Sequence, residues 1–111
     1  MARILVVEDD AGQLEMRKQI LEQAGYQVVA AQSAAEALER FSGCQLVLMD
    51  LRVPTEEDGI RLIQAASGSA RIIVLSGAGS DVPLPVDEFL TKPFASRRLL
   101  EIIAKWTSAS K

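Results

Sequence analysis

Four apolar runs of the chain lack alternation and stop abruptly: ILVV before Glu8, LVLM before Asp50, IIVL before Ser76 and a shorter FL before Thr91 and Lys92. Strands with one wet face alternate apolar and polar residues, whereas strands covered on both faces do not. These runs therefore predict a sheet buried between two layers. A carboxylate closing such a run is costly to bury unless it is paired or coordinated. Asp50, at the end of VLMD, poses that problem most sharply.

The stretches between the runs carry helical spacing. In GQLEMRKQILEQAG, residues Leu14, Ile20, Leu21 and Ala24 recur at that period, and Gly25 marks a C-terminal stop. YQVVAA predicts a further strand. SAAEALERFSG opens with a capping box, Ser33 with Glu36, and closes on Gly43. DGIRLIQAAS predicts a helix with Asp58 as its N-cap. SRRLLEIIAKW predicts a last helix that turns Leu99, Ile102, Ile103 and Trp106 inward. Because Ala95 is a poor N-cap, Ser96 is expected in that role, with Arg97 and Arg98 set against the helix dipole. That arginine pair reads first as a tolerated surface feature and second as a partner contact.

Alternating strands and helices define an α/β chain with a parallel sheet and helices on both faces. Its 111 residues suit one domain. Residues 107–111, TSASK, read as a polar tail. The stretch from Gly77 to Asp87 is the exception to the alternation: Pro83 and Pro85 remove donors, and Gly77 and Gly79 weaken helix formation. This crossover is expected to be a loop.

Composition excludes several classes. The net charge of −3 argues against general affinity for nucleic acid. The chain has no histidine, which removes His-based zinc sites and His general bases. Its one cysteine, Cys44, can form no internal disulfide, which suits a reducing compartment, and it reads as a small residue before a strand. No apolar run approaches the ~20 residues of a membrane span, and MARILVVEDD turns acidic too early for a signal peptide. A cytoplasmic location is expected.

Parallel strands share one C-terminal edge, where ligands of open α/β sheets bind. Here that edge collects Glu8, Asp9 and Asp10, then Asp50, Ser76 and Lys92. Clustered carboxylates raise each other's pKa unless a cation joins them. Hard oxygens without His or Cys suit Mg²⁺. Lys92 supplies a point charge for a phosphoryl group, Ser76 a hydroxyl, and Gly77 an N–H open to close approach. The set suits phosphoryl transfer to a carboxylate.

With ILVVEDD, LVLMDLRVP, IIVLSG and EFLTKPF in this order over nearly the whole chain, the sequence resembles a response regulator receiver domain of bacterial two-component signalling. The resemblance implies a flavodoxin-like, doubly wound, five-stranded parallel sheet of order 2-1-3-4-5, over residues 1–106. It implies that Asp50 is the phosphoacceptor, fed by a sensor histidine kinase or phosphotransfer domain. It also implies Mg²⁺ (or Mn²⁺) held by Asp9 and Asp50 directly, by Glu8 through water and by the backbone carbonyl of Arg52. Ser76 and Lys92, with the N–H of Gly77, would follow the phosphoryl group, Phe89 would be the aromatic switch, and Pro93 would follow a cis peptide bond. Asp10 reads instead as the acid opening the first helix.

Two features depart from that family's pattern. The helix between the fourth and fifth strands is missing, which puts the usual output surface in doubt. PTEEDG is one residue longer than the usual turn and adds Glu56 and Glu57 beside the site. The leading function is a phosphorylation switch with autocatalytic phosphotransfer, not a turnover enzyme. Its output partner is not named by the sequence, and neither nucleic acid nor membrane is expected to be contacted directly. A degenerate receiver that only scaffolds a partner is the alternative. An aspartyl phosphatase of the haloacid-dehalogenase type would want an acid where Arg52 stands. A flavodoxin would want Ser, Thr and Gly where this chain has EDDAGQ.

Overall fold

The computed structural model describes residues 2–53, 55–77 and 85–108. Five strands, β1 (Arg3–Val7), β2 (Gln27–Ala31), β3 (Leu46–Asp50), β4 (Arg71–Ser76) and β5 (Glu88–Thr91), form one sheet of order β2-β1-β3-β4-β5. Every pairing is parallel. Helices α1 (Ala11–Gln23), α2 (Ala34–Arg40), α3 (Glu56–Ala66) and α4 (Ser96–Ser108) complete the described residues. Among the described residues, no helix falls between β4 and β5. Within that crossover, residues 78–84 lie outside the described residues, as does Pro54.

The strands fail to alternate because each feeds two cores. Leu5, Val7, Val47, Met49, Ile72 and Val74 pack with Ala34, Ala37, Leu62, Ile63 and Ala66 of α2 and α3. Their neighbours Ile4, Val6, Leu46, Leu48, Ile73 and Leu75 pack on the opposite face with Leu14, Leu21, Leu99, Ile102 and Ile103 of α1 and α4. The period of two along a strand sends successive side chains to opposite cores.

Helix ends follow local chemistry. Ser33 Oγ accepts the Glu36 N–H at 3.1 Å, while Glu36 Oε1 accepts the N–H of Gln32 at 3.2 Å, so the box reaches one residue further back than the usual reciprocal pair. Beyond α1, Gly25 takes φ +98°, the left-handed conformation expected of a helix stop. The N-cap of α3 is Thr55, not Asp58: Thr55 Oγ1 accepts the Asp58 N–H at 3.2 Å. Glu56, Glu57 and Asp58 consequently occupy the first turn, where the dipole favours acids. Ser96 is the first residue of α4, and the Leu99 N–H donates to the Ala95 carbonyl at 3.2 Å, so Ala95 stands where Ser96 was expected. The helix runs to Ser108, two residues into the stretch read as a tail, and Thr107 Oγ1 donates to the Ile103 carbonyl at 2.8 Å.

Candidate functional site

The register brings the strand ends level. Val7 lies opposite Met49, so Glu8 follows β1 beside Asp50, and Asp50 itself lies opposite Leu75. Ser76 lies opposite Thr91, and the Lys92 N–H donates to the Ser76 carbonyl at 2.7 Å, extending the β4–β5 ladder past its last pair. The sheet order reverses between β1 and β3, the switch point at which open α/β sheets form their binding crevice.

Strand parity then decides which acids face which helices. Val6 and Leu48 belong to the α1–α4 core, so Glu8 and Asp50, two residues on, continue toward that same face. Both are buried, at 4% and 6% exposure, and neither is alone. Arg17, 5% exposed, rises from α1 between them. Its Nη1 donates to Glu8 Oε1 and, at 3.2 Å, to Asp50 Oδ2, while Nη2 donates to Gln13 Oε1 at 2.9 Å. One nitrogen carries two N–H groups, so one guanidinium corner satisfies both acids. Glu8 Oε2 accepts the Asp10 N–H at 3.0 Å. On the far side of Asp50, the Lys92 ammonium lies 2.5 Å from Oδ1, which accepts no well-directed hydrogen bond. The ammonium is that buried oxygen's partner.

This answers how a buried strand can end on a carboxylate: each oxygen of Asp50 has its own cation. Burial pushes the Asp50 carboxyl above its ordinary range, and the Lys92 ammonium beside it opposes that rise. Burial likewise lowers Arg17, with Asp10 opposing, but a guanidinium stays charged in a protein.

Asp9 is exposed, and its carboxylate has no hydrogen bond or ion pair among the described residues. Asp10 caps α1, its Oδ1 accepting the Gln13 N–H at 3.0 Å. Ser76 directs its hydroxyl to the Gly77 carbonyl at 2.8 Å rather than to Asp50. Phe89 is half-buried against the α2–α3 core. The bond between Lys92 and Pro93 is cis. Arg52 is exposed on the turn after β3. Cys44 is buried and its thiol is pushed up by burial, which makes it a packing residue with little thiolate character.

The motifs at the strand ends do not mark Arg17, although the sequence carries a signal for it. It falls between Leu14 and Leu21 at the spacing that α1 buries, so a charge occupies a core position. Such a residue demands a buried acid opposite it.

The donor chemistry of Glu8, Asp9 and Asp50 suits a hard divalent ion, and the partly satisfied Oδ1 of Asp50 shows acceptor capacity remaining in the pocket. Among the described residues, however, the acids do not converge as a ready cluster of three or more ligands. Arg17 stands between two of them. A hollow of about 490 Å³, lined by Gln45, Ser69, Arg71 and Asp87 among others, opens at the opposite, N-terminal edge of the sheet and has no part in this chemistry.

A parallel five-stranded sheet of this order, with buried acids and a lysine at its switch point, defines a flavodoxin-like fold with an acidic pocket. The chain belongs to the response regulator receiver domain family, whose model matches residues 4–104. It is 37% identical to the chemotaxis protein CheY of Bacillus subtilis, over 93% of this chain and 95% of that protein. It is 30% identical to the transcriptional regulatory protein CpxR of Escherichia coli K12, over 90% of this chain but 47% of the regulator. A receiver domain protein (CheY-like) from Methanospirillum hungatei superposes with a TM-score of 0.85 at 32% identity, over 95% of this chain and 92% of that one. Receiver domains of this family are signalling domains of two-component systems and typically use Mg²⁺. Among the described residues no helix is long and apolar enough to cross a membrane.

Proposed function

We propose that this chain is a phosphorylation switch in which Asp50 accepts a phosphoryl group from the phosphohistidine of a sensor kinase or phosphotransfer domain. One observation carries the reading: a buried carboxylate at the switch point of the sheet, with the Lys92 ammonium 2.5 Å from one of its oxygens. In the transfer, a carboxylate oxygen of Asp50 bonds to phosphorus as the donor's P–N bond breaks, and the electron pair leaves with the imidazole. Asp9, Asp50 and the carbonyl of Arg52 would hold Mg²⁺, with Glu8 behind them. That ion supplies charge stabilisation for the transferring oxygens.

Lys92 pairs with the new phosphoryl oxygens, and the Gly77 N–H lies at the same edge to meet them. Ser76 gives up its bond to the Gly77 carbonyl to follow. The added charge of about −1.5 to −2 biases a two-state equilibrium in which Phe89 is the reporting ring. The module then acts in the cytoplasm by changing its fit to an output protein or domain.

Acetyl phosphate or phosphoramidate with Mg²⁺ tests the reading by intact-protein mass spectrometry. Wild type is expected to gain one phosphoryl group and Asp50→Asn none. An unshifted wild-type mass under saturating donor overturns it. That result favours a scaffold that binds partners without phosphorylation, a reading to which the hold of Arg17 on Asp50 lends some support.

A further inference from the structure

With Lys92, Arg17 is one of two cations that the acidic pocket carries within its own chain. Its Nη1 takes Glu8 Oε1 and Asp50 Oδ2, and Lys92 takes Asp50 Oδ1, so both oxygens of the proposed phosphoacceptor are held by side-chain cations. The arginine is anchored: Leu14 and Leu21, on the same face of α1, are packed in the core, and Gln13 Oε1 holds its second terminal nitrogen. We propose that Arg17 is a tethered competitor for the divalent-cation site, so that the metal and the guanidinium exclude one another at Asp50. The inference rests on the reading that Asp50 shares in binding Mg²⁺.

Charge and coordination set the ion and the guanidinium against one another. A divalent ion bound through Asp50 needs an oxygen that Arg17 or Lys92 now holds, and it would sit within a few ångströms of a fixed positive charge. At that range, inside a pocket of low effective dielectric, like charges repel strongly. Arg17 cannot relieve the repulsion by losing its proton. It must swing off Asp50, giving up a buried ion pair and leaving Glu8 to be solvated by the water that enters with the ion. Metal affinity is thereby lowered by the cost of displacing the arginine. Linkage makes the effect reciprocal: whatever fastens Arg17 onto Asp50 weakens the metal, and the metal loosens Arg17.

The test is Mg²⁺ binding to the unphosphorylated protein, measured by titration calorimetry at fixed ionic strength on wild type, Arg17→Gln, Arg17→Leu and Arg17→Lys. Circular dichroism checks the fold of each. Arg17→Gln keeps a hydrogen-bond donor for the acids and so guards against loss of the fold in Arg17→Leu. The neutral variants that fold are expected to bind Mg²⁺ about tenfold more tightly than wild type, within the usual range of coupling between sites. Arg17→Lys, which keeps the charge, is expected to stay near wild type. Equal or weaker binding by the folded neutral variants overturns the competition. Absence of binding in wild type and variants alike, at any Mg²⁺ concentration, overturns it together with the metal reading beneath it.

Discussion

Gly59 of α3 runs so close to the backbone of Leu51 that a Cβ built on it would stand 1.8 Å from the Leu51 carbonyl oxygen and 2.8 Å from its carbonyl carbon. No side chain can move aside there, because both obstructing atoms are backbone. The contact seats the start of α3 directly on the turn that follows Asp50 and so sets the path of Arg52. Gly59→Ala is expected to destabilise the domain by about 3 kcal/mol, at the upper end of the usual cost of overpacking. A urea or thermal unfolding comparison checks this. A loss below ~0.5 kcal/mol would mean that the helix can lift away freely.

Trp106 joins α4 to the edge strand by donating from Nε1 to Glu88 Oε1 at 2.7 Å, and Lys105 Nζ reaches the same oxygen at 3.3 Å. Trp106 first, and Lys105 after it, hold the Glu88 carboxyl below its ordinary 4.5. A carboxylate whose folded pKa is depressed adds stability above its unfolded value and loses it as pH falls through the folded one. Wild type should therefore exceed Glu88→Gln in stability at neutral pH, and the gap should close as the solution is acidified below about 4.5. Thermal melts followed by the fluorescence of the one tryptophan measure it. A gap that widens in acid would contradict the assignment.

Lys92 is partly open to solvent at the end of β5 while its ammonium pairs with Asp50. Lys92→Ala is expected to leave the fold intact, because no apolar core depends on it, yet to blunt the spectral response to a phosphoryl donor. Tryptophan fluorescence or amide NMR before and after acetyl phosphate would report the difference. Equal changes in Lys92→Ala and wild type would remove Lys92 from its assigned role.

Thr55 both accepts the Asp58 N–H and donates from Oγ1 to Asp58 Oδ2 at 2.8 Å. Thr55→Ala should cost about 1 kcal/mol, the usual value for a lost N-cap. Asp58→Asn, which keeps the N–H that Thr55 accepts, should cost less. Denaturant unfolding of the two variants separates the cap from the charge.

The layered fold could be read from local pattern. Runs such as LVLM and IIVL left little choice but strands covered on both faces, and Ser33 and Gly25 sit where helix-end chemistry needs them. Sequence pattern alone sets the start of α3 three residues late, because Thr55, Asp58 and the acids between them are all acceptable near a helix N-terminus. Which of them caps depends on the path of the turn after β3, and that path is set by Gly59 against Leu51.

What the sequence determined alone was the meeting of Glu8, Asp50, Ser76 and Lys92 at one sheet edge, since parallel strands end together. It did not reveal the partner of the buried acids. Glu8 and Arg17 are near neighbours in the chain, but Asp50 comes from a strand far along it. Only register and parity bring that carboxylate under α1, within reach of one guanidinium. Helical spacing marks position 17 as buried; tertiary packing decides that a charge can live there, because only the folded sheet supplies two carboxylates to neutralise it.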